Sequence, residues 1–160
     1  MSAPSGTTGV PAPGVELLDE PTCWQLLRDA GLGRFVVVDA DGRPDVFPVN
    51  HAVDHGSVLF RTADGSKLAA VASGSPVAFE ADGVHDGVAW SVVLRGVAHQ
   101  VTRVAELLDT ASVHLAPWQA GGKGRFVRVR GDVTGRRFPV TGSGWWEARP
   151  AAHGGDRPAR

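Results

Sequence analysis

Residues 34–62 read RFVVVDADGRPDVFPVNHAVDHGSVLFRT, and the turns inside this stretch settle the architecture. Ala40-Asp41-Gly42 separates the run Arg34–Asp39 from a second run, Pro44 to Val53; Asp54-His55-Gly56 separates that from a third, Ser57 to Thr62. Gly and Asp in such places are hairpin signals, because a tight turn needs positive φ or a side chain that bonds its own backbone. A parallel strand pair requires a crossover of about a dozen residues, and neither connection has room for one. The three runs therefore read as an antiparallel meander.

Working outward, Val77–Glu80 and Val88–Thr102 read as further strands, with Gly96 expected as a bulge or bend in the second. A last strand fits Arg125 to Val133, where Phe126, Arg128 and Arg130 alternate with Val127 and Val129. Helical spacing appears three times. Residues 20–30 place Cys23, Leu26, Leu27 and Ala30 on one stripe, with Pro21 in the first turn, acids Asp19 and Glu20 at the positive end, and Gly31 or Gly33 to stop it. Lys67–Ser73 follows Ser66 as N-cap, and Val104, Leu107, Leu108, Ala111 and Leu115 mark an amphipathic helix. Six or so short strands with few helices predict a mainly β protein, a small antiparallel barrel.

With 160 residues, a formal net charge of −1 and 42% hydrophobic residues, the chain has the size and balance of one globular domain without a nucleic-acid or membrane partner. Residues 1–15 and 141–160 read as disordered tails around a domain at 16–140. Trp145 and Trp146 interrupt the second tail and are expected to dock on the body or on a partner chain. Cys23 is the one cysteine, which excludes an internal disulfide and reads as a small core residue. The six histidines suggest no metal site. No basic and apolar leader follows Met1, so a cytoplasmic location is expected.

Three segments carry candidate chemistry. In Leu59-Phe60-Arg61-Thr62-Ala63-Asp64-Gly65-Ser66-Lys67-Leu68 a strand turns into a capped helix start, where free N–H groups, the Ser66 hydroxyl and the charges of Arg61 and Lys67 suit a phosphate. Read alone, the same stretch is more readily an ordinary capped helix with solvated charges. Its spacing is not that of a nucleoside-triphosphate loop. In Phe47-Pro48-Val49-Asn50-His51 a mid-strand proline argues for an edge, a bulge or a ligand-lined position, and Asn50, the only asparagine, could read the edge of a heterocycle. Trp90 and Ser91 begin a strand on its opposite faces.

Taken in order, L-G-R-F, D-G-x-P, P-V-N-H, F-R-T-x-x-G-S-K-L, V-A-F-E and W-S-V-x-x-x-G-x-A resemble the pyridoxamine 5'-phosphate oxidase-like superfamily, the FMN-binding split barrels, over Leu32 to about Val140. The resemblance implies a split antiparallel barrel and a homodimer with flavin at the interface. Arg61, Thr62, Ser66 and Lys67 would hold the FMN phosphate and ribityl chain. Phe47, Pro48, Val49 and Asn50 would line the ring largely through backbone groups, and Trp90 and Ser91 would approach it, often from the other subunit. A deazaflavin is the alternative cofactor.

Asp45 and Asn50 stand where true pyridoxamine-phosphate oxidases carry basic residues, and Trp118 and Arg125 are only a loose match to their C-terminal signature, so vitamin B6 oxidation is not implied. A flavin-dependent oxidoreductase acting on a small molecule is expected, with His51 as the titratable group nearest the pocket. A non-catalytic module binding flavin, deazaflavin or haem is the other reading.

Overall fold

The structure, a computed structural model, describes residues 13–62, 65, 71–102 and 125–140. Within them seven strands and one helix follow the chain: β1 (Glu16–Leu18), α1 (Glu20–Asp29), β2 (Leu32–Val38), β3 (Pro44–Val53), β4 (Val58–Thr62), β5 (Val77–His85), β6 (Val88–Gln100) and β7 (Arg125–Pro139). The sheet order is β1-β7-β4-β3-β2-β5-β6, and a further pairing of β6 with β7 closes the ring. Every pairing is antiparallel. The expected mainly β, split antiparallel barrel is the observed fold, with β1 added outside the ring.

The two early hairpins form as their turns require. Asp39 accepts hydrogen bonds at Oδ1 from the N–H groups of Asp41 and Arg43, and its backbone exchanges with Gly42 and Arg43. At the second turn Asp54 and Ser57 exchange both backbone bonds, with His55 (φ 47°) and Gly56 (φ 65°) both left-handed between them, the requirement of a type I′ loop.

The long strand β7 joins the halves. One edge pairs with β4 over Arg125–Val129 and with β1 over Gly135–Arg137, while the other pairs with β6 from Val127 to Pro139. The core fills the ring, with Phe35, Phe60, Phe79, Val58, Val92, Leu94, Val127 and Val129 fully buried. Helix α1 packs against β7, β3 and β6. Asp19 caps its start, accepting from the Thr22 N–H at 2.9 Å, and the helix buries Cys23, Trp24 and Leu27. Each such apolar side chain contributes roughly 1.5–3 kcal/mol by leaving water.

Three expectations are corrected. First, α1 is not stopped by a glycine: Ala30 is its C-cap in extended conformation, with its N–H donating to Leu26 O. Second, Gly96 is no bulge. It faces Gly131 in an unbroken register, and a Cβ on either would run into backbone of the other strand, so the pair marks a close approach of β6 and β7. Third, β5 runs on to His85 and β7 to Pro139. Of the two other helices, Val71 and Ala72 are helical; residues 66–70 and 103–124, Trp118 among them, lie outside the described residues, as do residues 1–12 and 141–160 with Trp145 and Trp146. Among the described residues no helix is long and apolar enough to cross a membrane.

Candidate functional site

Alternation along β3, β4 and β7 sorts the candidate residues by face. On β3, Val49 and His51 point into the barrel and are buried, whereas Pro48 is exposed and Asn50 half-buried on the outside. On β4, Phe60 belongs to the inner core, while Leu59 joins Val101, Ala52 and Phe126 in a separate apolar cluster on the outer face. Arg61 pairs with Phe126 across β4 and β7, and its guanidinium lies over the Phe126 ring at 5.5 Å from the centroid.

Asn50 and Arg61 are the next residues beyond the His51–Phe60 pair, where the β3–β4 ladder stops. From there β3 continues back to Pro44 paired with β2 and, among the described residues, with no other strand. Chain continuity thus places Asn50 and Val49 next to Arg61 and Thr62 where the β3–β4 ladder opens, with Pro48 and Phe47 following along β3. Phe47 packs against the core and Thr62 is buried, so of this set Pro48, Asn50 and Arg61 turn their side chains outward. Ser66 and Lys67 lie outside the described residues.

Trp90 and Ser91 are elsewhere. They pair with Arg137 and Arg136 near the far end of β7, whereas Arg61 and Thr62 pair with Phe126 and Arg125 at its beginning. Trp90 is half-buried against the core. Within one chain these two residues do not meet the β3–β4 opening.

His51 departs from expectation. Its ring lies inside the barrel, 7% exposed, edge-on to Phe79 at 4.7 Å, and Nε2 donates to the Leu27 carbonyl at 2.7 Å. It ties α1 to the barrel wall, and Nδ1 is buried without a partner. His55, four residues on, sits exposed in the turn beside Asp54, so the pair forms no chelate. Burial lowers the His51 pKa below its ordinary value, against the smaller opposing effect of the Leu27 hydrogen bond. The unfolded chain therefore takes up a proton near pH 6.5 that the folded chain refuses. Stability is full above about pH 6.5 and falls as pH drops below it. Urea midpoints measured from pH 7 to 5 should decline more steeply for the wild type than for His51→Gln; parallel slopes would remove His51 from this role.

One buried ionic group was missed from sequence. Arg128, 4% exposed, donates from Nη1 to Asp54 Oδ2 at 2.8 Å and to Ser57 Oγ at 2.7 Å. Burial pushes the Asp54 carboxyl up, but hydrogen bonds from Arg128 and His55 outweigh this and hold it below the ordinary carboxylate range. Arg128 thereby locks the turn between β3 and β4. The alternation of Phe126, Arg128 and Arg130 was the available signal, but their partners lie on distant strands.

Residues 19–137 match the profile of the family described as pyridoxamine 5'-phosphate oxidase. The chain belongs to that family. A Corynebacterium glutamicum protein described as a candidate pyridoxamine 5'-phosphate oxidase is 39% identical, with a TM-score of 0.71 over 81% of this chain and 96% of its own. The FAD binding protein of Mycobacterium smegmatis is also 39% identical, with a TM-score of 0.66 over 77% of this chain and 97% of its own. An uncharacterized protein of Mycobacterium tuberculosis is 40% identical over 83 residues, which span 51% of this chain and 76% of that relative.

The residues of this family member at the β3–β4 opening fit a flavin phosphate on their own chemistry. Arg61 is a half-buried cation on the outer face, and its Nε is buried with no hydrogen-bond partner. A buried, unpaired donor costs free energy that an anion would recover.

Proposed function

We propose that this chain is a flavin-dependent oxidoreductase acting on a small molecule. The observation that carries the reading is Arg61, set at the end of β4 with an unsatisfied buried Nε, next to the opening bounded by Phe47–Asn50. In this reading Arg61 and Thr62, with Ser66 and Lys67, hold the phosphate and ribityl chain, and Phe47, Pro48, Val49 and Asn50 lie along the ring. Asn50 offers the outward amide for the ring edge. A bound flavin supplies the hydride chemistry, so no protein acid or base is required for that transfer.

Trp90 and Ser91 belong to the same site only if a second copy of the chain brings them there. A homodimer with shared sites follows as part of the proposal. The M. smegmatis relative is described as an FAD binding protein, which supports flavin and places FAD beside FMN as the cofactor to test.

Calorimetric titration with FMN and with FAD tests the phosphate assignment. Arg61→Ala and Lys67→Ala should each weaken binding by about 1.5–3 kcal/mol, since each removes a hydrogen bond to a charged group. Unchanged dissociation constants would remove these side chains from the site. Sedimentation at micromolar concentration should give a dimer; a monomer that binds flavin as tightly would overturn the shared site.

A further inference from the structure

A cleft of about 740 Å³ opens between the carbonyl end of α1, the start of β2 and the β5–β6 hairpin. Its volume is that of a small-molecule site. Leu26, Leu32, Val88 and Trp90 give it an apolar lining, and Trp90 offers an aromatic surface. Three carboxylates, Asp29, Asp82 and Asp86, face one arginine and one histidine, Arg137 and His85. Asp82 is committed to an ion pair with Arg34 on β2, and Arg137 stands 3.9 Å from Glu16. Asp29, exposed at the end of α1, accepts from Gln25, and Asp86, exposed in the hairpin, stands 3.1 Å from His85 Nε2, an ion pair when that ring is protonated. The partial negative charge of the α1 C-terminus adds to Asp29 and favours a cation there.

We propose that this cleft binds a flat, amphipathic organic cation, its apolar body against Trp90, Leu26 and Leu32 and its positive group at the rim that carries Asp29 and Asp86. A phosphorylated or carboxylated ligand is disfavoured by the same charges. Trp90 is also assigned to a flavin held by a second copy, so the cleft is a place for that site's substrate. To this extent the inference rests on the proposed flavin reading; the cleft itself is built by one chain.

The test is fluorescence-anisotropy titration of flavin-free protein with proflavine, a tricyclic cation, against fluorescein, a tricyclic anion. Proflavine should bind one to one and fluorescein should bind at least tenfold more weakly. Asp29→Asn with Asp86→Asn should weaken proflavine binding by about fivefold to tenfold, as expected for exposed charges. Leu32→Arg, on a side chain 37% exposed and so tolerated by the fold, should abolish it. Equal binding of the two dyes, or proflavine binding indifferent to both variants, overturns the proposal. FMN titration of the Asp29→Asn, Asp86→Asn variant separates the two readings, because loss of dye binding with flavin affinity retained concerns the cleft alone.

Discussion

Replacing Phe79 with alanine is expected to cost about 3–5 kcal/mol of folding stability. Phe79 on β5 is fully buried and sits directly across from Phe35 of β2. Its ring meets the edge of His51 and lies so close over Gly33 that a Cβ on Gly33 would overlap it. Truncation therefore removes contacts to β2 and β3 at once, and Gly33 has no side chain to fill the space. The cavity would also free the inner face of His51, whose Nδ1 already lacks a partner. For a domain whose whole stability is of order 5–15 kcal/mol this is a large fraction. Urea denaturation should show the midpoint falling with the slope unchanged. A loss below about 1 kcal/mol would mean that the barrel is not packed at this point.

The second large effect is at Arg128. Arg128→Ala should destabilise by about 3 kcal/mol, the lower part of the range for breaking a buried ion pair, because Asp54 keeps some access to water. The loss has a definite cause: Asp54 and Ser57 would keep their polar atoms beneath the turn without the cation that gathers them. Asp54→Asn in the Arg128→Ala background should then cost little more, since the unpaired charge is gone. Additive losses in this cycle would show that the two residues do not act as a pair.

These side chains mark where the sequence was legible and where it was not. The meander β2–β3–β4 could be read because its turns carry their own instructions in Asp39, Gly42, His55 and Gly56. Helix α1 could be read because Asp19, Pro21 and the stripe from Cys23 to Leu27 agree. The expected strand Val77–Glu80 continues as β5 to His85, and the chain turns at Asp86, with φ of 49°, and Gly87. The expected strand Arg125–Val133 continues as β7 to Pro139; Gly135, Arg136 and Arg137 carry no apolar pattern, and pairing with β6 and with the three residues of β1 holds them in the sheet. Both are cases of tertiary pairing overriding local composition.

At the site, the hairpin register alone sets Asn50 near Arg61. The Phe126 ring beneath Arg61 required the closure of β7 onto β4, which no local pattern announces. His51 was placed near the pocket for its chemistry, yet strand alternation with Val49 sends it inward.

The most direct test of the flavin reading is the visible absorption spectrum of the protein incubated with FMN or FAD and then desalted, beside Arg61→Ala treated identically. A two-banded flavin spectrum retained by the wild type and lost or strongly reduced in the variant is the predicted result. A wild-type protein that leaves the column colourless with both flavins would contradict a flavin site at Arg61.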